Sequence, residues 1–584
     1  MYPKVLAVAA SLISLGASVR LDAHHGLDLR SAREEPCKQV RDQAAKWMAD
    51  NGIVPKNRSE LRSFMPATPS VPIRPSIALA CLKSVPLYKD SALQQLDFLR
   101  PLLEWQSSVE YLRDPPQGYL SEGVDLIRGL DDIAAKLKEE KRGGYANELE
   151  FLADLRMLTS VRPRDFHFGY WTLLLDLFDF PMSAQFISIS DDGLAMPKIY
   201  LYDDVKHAQN GYTPSPVLTI DGVPALEFLQ KASVNIALSH DPDARFNGMF
   251  RSLATDTNLA YVSPEPFALF LGDTTKVTCH NGTRFEFSNA ARLRANFTKI
   301  TSGADLYDVY GRGDSTDERP LNARFYQLAE RNYTAAFVGY PKPFKSTRHV
   351  AGFLPESSEF SDIAVLALNS FNEAPNLDHV DRSMSVQQRD FYQVVVDSIS
   401  AAKAANRTKL VLDFQGNGGG LTSNIMALYF ALFPGDTLPV LWQARAHPQF
   451  AWLGKQAWDP TSSIGQWPVY NMMRPDGKPW SSFEELYGPF PDAPAGQKRW
   501  GQHTHPAIEN TTWTKGSIAD NCGGLSWGPS LLSALQYPGR NSTTPGAKRC
   551  LFGRSAHVEG LFGGAQWVRE AELYMGAANG KKEP

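Results

Sequence analysis

The sequence has no hydrophobic run long enough to cross a bilayer, no block of basic residues, and only five cysteines in 584 residues. A membrane-spanning helix needs about 20 apolar residues, so no span is expected. Lys and Arg number 59 against 63 Asp and Glu, a formal charge of −4. Without a basic stripe, the electrostatic footprint that nucleic-acid binding requires is missing. Cys37, Cys81, Cys279, Cys522 and Cys550 form no C-x-x-C pair, which excludes zinc ribbons and a dense disulfide framework. His503 and His505 lack a neighbouring Cys or acidic cluster and read as loop histidines, so neither a metal nor another cofactor is implied. The G-x-S-x-G elbow of lipase-like esterases is absent as well.

What is present is globular. Hydrophobic residues make up 43% and charged residues 21%, which rules out a disordered or collagen-like chain. The length exceeds what one core of roughly 250–300 residues accommodates, so about three domains are expected. Lys4, the mostly apolar stretch from Val5 to Leu15 and the small residues Ala17 and Ser18 have the pattern of a secretory signal, here residues 1–19. Sequons at Asn57, Asn281, Asn296, Asn332, Asn406, Asn510 and Asn541 fit a lumenal route and are candidate glycosylation sites. In an oxidising compartment some cysteines should pair. Cys37 and Cys81 flank a Pro-rich stretch near helical segments, and a disulfide between them is expected.

Periodicity divides the rest. Residues 20–184 form a helical N-terminal region: the runs beginning at Ser91 and Val124 repeat apolar residues at three- and four-residue steps. Residues 185–345 read as a small mixed domain, with strands beginning at Phe186, Lys198 and Val217. Residues 346–575 follow, entered through a Pro- and Ser-rich stretch near 341–360. There, apolar runs at Asp362–Leu368 and Lys409–Phe414 flank a helical pattern through Tyr392, the strand–helix–strand order of an α/β domain. The Trp-, Pro- and Gly-rich stretch from 455 to 500 reads as an insertion over the site, and 576–584 as a tail.

Asp413-Phe-Gln-Gly-Asn-Gly-Gly-Gly420 lies between an apolar strand and a helical run from Ser423. Glycines at such a junction let backbone N–H groups converge on an anion near a positive helix end. A P-loop needs Gly-Lys-Ser/Thr after the glycines, and a dinucleotide fingerprint needs a glycine where Leu421 stands. An oxyanion hole for acyl transfer and a simple tight turn are the readings left open. His167, between aromatics in Arg164-Asp-Phe-His-Phe-Gly, is either a core residue or a general base at neutral pH.

Asp165-Phe-His167-Phe-Gly, the segment Leu410–Gly420 and Phe552-Gly-Arg-Ser-Ala-His-Val-Glu559-Gly-Leu-Phe-Gly-Gly together resemble the carboxyl-terminal-processing, or tail-specific, serine peptidases. The similarity is closer to their fungal branch related to chlamydial protease-like activity factor, some members of which accompany gene clusters for ribosomally made peptide toxins. It covers roughly residues 70 to 575, with a departure at 515–550. The resemblance implies an α/β multidomain protein: a helical N-terminal region, a small PDZ-like α+β domain and an α/β catalytic domain. It also implies a secreted serine endopeptidase acting on an extended peptide or precursor protein. His167 would be the base, Gly418 and Gly419 the oxyanion donors, and Glu559 the acid that orients the base. The family's usual nucleophile turn is absent, and Ser526 in Cys522-Gly-Gly-Leu-Ser-Trp-Gly-Pro is the preferred candidate. A helix from Pro529, an end at Pro538-Gly539 and a strand at Lys548–Phe552 fit between Ser526 and Glu559, whereas Ser542 is followed almost at once by Pro545-Gly546. The rival reading is a catalytically inactive peptide-binding protein on the same fold.

Overall fold

The computed structural model of the chain describes residues 35–52, 71–106, 108–115, 117–139, 143–164, 169–190, 195–208, 212–236, 240–251, 262–263, 270–312, 340–347, 349–371, 384–415, 417, 419–433, 441–442, 446–458, 472–474, 476, 478–488, 507–509 and 556–557. The N-terminal region is helical, with α1 (Pro36–Asp50), β1 (Val71–Ile73), α2 (Pro75–Lys83), α3 (Lys89–Trp105), α4 (Val109–Arg113), α5 (Leu126–Lys138) and α6 (Glu148–Arg156). Prolines open α1 and α2, where the fixed φ suits a first helical turn and the missing N–H costs nothing. Asp125 and Asn147 cap α5 and α6 by accepting from the N–H groups of Arg128 and Glu150. Leu126, Leu130, Ile133 and Leu137 form the buried stripe of α5, the three- and four-residue spacing legible in the sequence. A disulfide joins Cys37 of α1 to Cys81 of α2, with Cα atoms 4.6 Å apart. The last turn, Met157–Val161, widens to π-helical geometry.

The next segment holds β2 (Trp171–Thr172), β3 (Phe178–Pro181), β4 (Phe186–Ile189), β5 (Lys198–Leu201), α7 (Tyr202–His207), β6 (Val217–Ile220), β7 (Val223–Pro224), α8 (Ala225–Ile236), α9 (Pro242–Asn247), β8 (Val262–Ser263), β9 (Thr274–Cys279), β10 (Arg284–Ser288), β11 (Ala291–Leu293) and α10 (Gly303–Leu306). The three strands read from the sequence form as β4, β5 and β6. An antiparallel sheet in the order β10-β9-β6-β7 shares a core with α8 through Phe186, Ile220, Leu229 and Val277. Beyond β10 the chain leaves this unit, because β11 pairs with β1 and β3 and Leu306 and Tyr310 join the core of the N-terminal helices. Packing thus draws the small domain's far edge near residue 290, before the expected 345.

A third unit contains β12 (Lys345–Ser346), β13 (Val350–Phe353), β14 (Ile363–Leu368), α11 (Met384–Ala404), β15 (Lys409–Asp413) and α12 (Thr422–Leu432). The sheet order is β12-β13-β14-β15. Strands β14 and β15 run parallel, Ile363 opposite Lys409 and Ala367 opposite Asp413, and α11 is the crossover that parallel neighbours require. Val350, Leu366, Phe391 and Val395 form its core. The stretch 341–360 contains β12 and the fully buried β13, a strand too short and too close to Pro355 to announce itself. One expectation is corrected. The stretch from 455 to 500 contributes core residues: α13 (Pro448–Trp458) meets α14 (Phe483–Tyr487), and Phe483 and Leu486 are sealed into the same core as the N-terminal helices. Three short strands, β16 (Leu441–Trp442), β17 (Met472–Met473) and β18 (Ala507–Glu509), make a separate sheet, and β19 (Ala556–His557) ends the described chain. No helix among the described residues is long and apolar enough to cross a membrane.

Candidate active site

The glycine segment leaves the C-terminal end of β15, where open α/β sheets bind ligands. Its first residue, Asp413, is held on both carboxylate oxygens: Tyr340 Oη–H donates to Oδ2 and the Gln415 N–H to Oδ1 at 3.0 Å. Burial, and then the adjacent carboxylate, push the Tyr340 phenol well above its ordinary pKa, so it stays a donor. Asn417 turns the chain. Its N–H donates to the Phe414 carbonyl at 3.0 Å, its Nδ2 to the Leu368 carbonyl at 2.9 Å, and its Oδ1 accepts the Gly419 N–H at 2.7 Å.

Beyond the turn, Gly419 has φ +97° and Gly420 φ +144°, values open to glycine and costly for other residues. The Gly419 carbonyl accepts from the Phe371 N–H at 2.8 Å and from Ser370 Oγ at 3.3 Å. Leu421 N–H returns to the Phe371 carbonyl at 3.3 Å, which also accepts from buried Asn424 Nδ2 at 2.7 Å. The residues following β14 are therefore a shelf on which the glycine segment is fastened just before α12 begins. His349 buttresses that shelf. Its Nδ1 lies 2.9 Å from Asn369 Oδ1, within hydrogen-bond distance. None of these polar supports stood out in the sequence; an Asn directly after the apolar run of β14 is the one signal available.

The flanks of His167 are equally constrained. Ser160 Oγ, in the π-helical turn, accepts the Tyr170 N–H at 2.9 Å, and Arg156 Nη1 donates to the Tyr170 carbonyl at 3.1 Å. All three residues are buried. Arg164 takes φ +57°, and burial with the like charge of Arg245 lowers its guanidinium to about 10. Immediately after Tyr170, β2 pairs antiparallel with β19, Trp171 opposite His557 and Thr172 opposite Ala556. The segment that follows His167 and the segment that precedes Glu559 are thus strand partners. His167, Gly418, Ser526, Ser542 and Glu559 themselves lie outside the described residues, as do His503, His505, Asn57, Asn332, Asn510 and Asn541. Of the remaining sequons, Asn281, Asn296 and Asn406 are all exposed. Among the described residues no group of three or more His, Cys, Asp or Glu could hold a metal ion.

Residues 179–298 match the family model of the CPAF-like PDZ domain, the span that the packing above closes near residue 290. Two peptidase S41 family proteins of Diaporthe leptostromiformis, phomP1′ and phomP1, are 28% and 27% identical to the chain over 414 residues. Each alignment covers 65% of this chain and 58% of the relative, so the match spans little more than half the length of these proteins. A crystal structure of mature CPAF superposes with a TM-score of 0.37 and 14% identity, covering 69% of this chain and 70% of that one. The chain is similar to S41 peptidases and carries a PDZ-like domain of the CPAF-related type.

Proposed function

We propose that the protein is a secreted serine endopeptidase that cleaves an extended peptide or precursor protein through an acyl-enzyme. The observation that carries the reading is the pairing of β2 with β19, which makes neighbours of the two segments flanking the expected base, His167, and its expected orienting acid, Glu559. A Ser hydroxyl is a weak nucleophile until an imidazole takes its proton. In this reading His167 takes the proton of Ser526 as Oγ attacks the scissile carbonyl, then returns it to the leaving amine. Glu559 holds the imidazole in the productive tautomer. The glycine segment at the end of β15 faces the oxyanion with backbone N–H groups. The PDZ-like domain binds the substrate's extended backbone, in part by strand addition.

Exposure of Asn281, Asn296 and Asn406 suits glycosylation in a secretory route. A role on a ribosomally made toxin precursor rests on the family resemblance alone. The rival, a binding protein without catalysis, draws on the missing nucleophile turn. Reaction of the purified protein with a fluorophosphonate, followed by mapping of the adduct, separates the two. A single adduct on Ser526, and a fall of about 10³-fold or more in peptide hydrolysis in folded His167→Ala, are expected. An adduct on Ser542 would move the nucleophile; a protein that neither labels nor hydrolyses is the binding protein.

A further inference from the structure

The Gly419 N–H, the described member of the expected oxyanion pair, is already taken by Asn417 Oδ1 at 2.7 Å. Asn417 is itself tied down through its Nδ2 to the Leu368 carbonyl and its N–H to the Phe414 carbonyl, so its side-chain amide must give up its bonds to Gly419 and Leu368 before Gly419 can serve a substrate. The next peptide unit differs. Its carbonyl, that of Gly419, is fixed toward the shelf by the Phe371 N–H and Ser370 Oγ. In a trans peptide the C=O and the following N–H point in opposite directions. The N–H of Gly420 therefore points away from the shelf. It has no acceptor among the described residues, and Gly420 is exposed. The bridge between Phe371 and Gly420 fixes this register, because the flanking Gly419 carbonyl and Leu421 N–H are the groups that pair with Phe371. Two residues later α12 starts at Thr422, bringing the partial positive charge of the N-terminus of an eleven-residue helix close in the chain.

The geometry points to Gly420 as the catalytic residue of this segment, its main-chain N–H being the donor to the oxyanion, with Asn417, Ser370 and Phe371 acting as positioning residues that aim it. The inference rests on the acyl-transfer reading above and replaces Gly419 with Gly420 within it. A donor of this kind is preorganised: its peptide plane is locked before substrate arrives, so no reorientation is needed as charge develops on the carbonyl oxygen.

Replacing one amide N–H by an ester oxygen, through incorporation of glycolate, removes a single donor without adding a side chain. In the full chain, glycolate at 420 is expected to lower kcat for peptide hydrolysis by about 10²–10³-fold with KM little changed. Glycolate at 419, which breaks the Asn417 contact without removing the assigned donor, should lower kcat less than glycolate at 420, and His167→Ala run in parallel should abolish turnover. Loss of kcat with glycolate at 419 but not at 420, or no loss at either position while His167→Ala is inactive, overturns the assignment alone. Hydrolysis that survives His167→Ala, or a wild-type protein without hydrolysis, sinks the acyl-transfer reading and the assignment with it. If the ester chains do not fold, amide exchange in the unsubstituted protein decides. Formation of a peptide-boronate adduct should protect the Gly420 N–H and leave that of Gly419 unchanged; the reverse pattern refutes the proposal.

Discussion

At the scale of single residues, the glycine segment shows which part of a site a sequence reveals. A run of glycines between an apolar strand and a helix was legible as a tight strand-to-helix turn, because glycine's freedom at positive φ is a property of the residue itself. Which N–H faces outward was not legible, since it is decided by a side chain two positions earlier: the amide of Asn417 takes one donor. The penalty for substitution at Gly419 also differs in kind from simple crowding. Among the described residues nothing lies within 4 Å of where its Cβ would stand, so the cost arises from the backbone angle of +97°. Gly419→Ala should lower stability by about 1–2 kcal/mol, the cost of a left-handed L-residue. It should also lower kcat as the segment relaxes toward negative φ. Urea midpoints and initial rates measured on the same preparation test both; an unchanged midpoint would show that the turn tolerates a side chain.

Among elements, those whose residues alternate or repeat over many positions were readable, and those fixed by distant partners were not. Helix α5 and the β14-α11-β15 crossover follow from local periodicity. Strand β13 does not, since its four residues are apolar without pattern and become a strand only because β14 lies beside them. Helix α14 has only five residues and owes its place to burial of Phe483 and Leu486 among helices far away in sequence. Close approach is another such determinant. Where α10 meets the end of α2, a Cβ on Gly303 would fall 2.1 Å from the Ser84 carbonyl oxygen, a backbone atom that cannot swing aside. Ser302 and Asp305 close a capping box around the same turn, so the helix start cannot easily shift to make room. Gly303→Ala should destabilise the protein by about 1–3 kcal/mol, measured as a lower denaturation midpoint. A variant as stable as the parent would mean that α10 and α2 can separate freely.

For the whole molecule, the Cys37–Cys81 disulfide closes a loop with a sequence separation of 44 and ties the first helix to the second. Loop-closure entropy gives it about 3–4 kcal/mol. Cys37→Ser together with Cys81→Ser should lose about that much stability in urea titrations, and reductant should act on the parent but not on the double variant. Equal stability of parent and variant would show that the helices hold without the bridge. Cys279 is buried and its thiol is raised first by burial and then by Asp204, so it should not interfere by exchanging with the pair.

The pairing of β2 with β19 has a further consequence, in time rather than in space. Strand β2 leaves the ribosome early, just after the N-terminal helices, whereas β19 belongs to the last part of the sequence. At synthesis rates of about 5–20 residues per second, β2 waits tens of seconds for its partner. Bringing the two together also costs the closure entropy of about two thirds of the chain, a term that grows slowly with length and is recovered only once the intervening units have folded. Any activity that depends on this strand pair is therefore silent in the nascent chain and arises only when synthesis has passed residue 557.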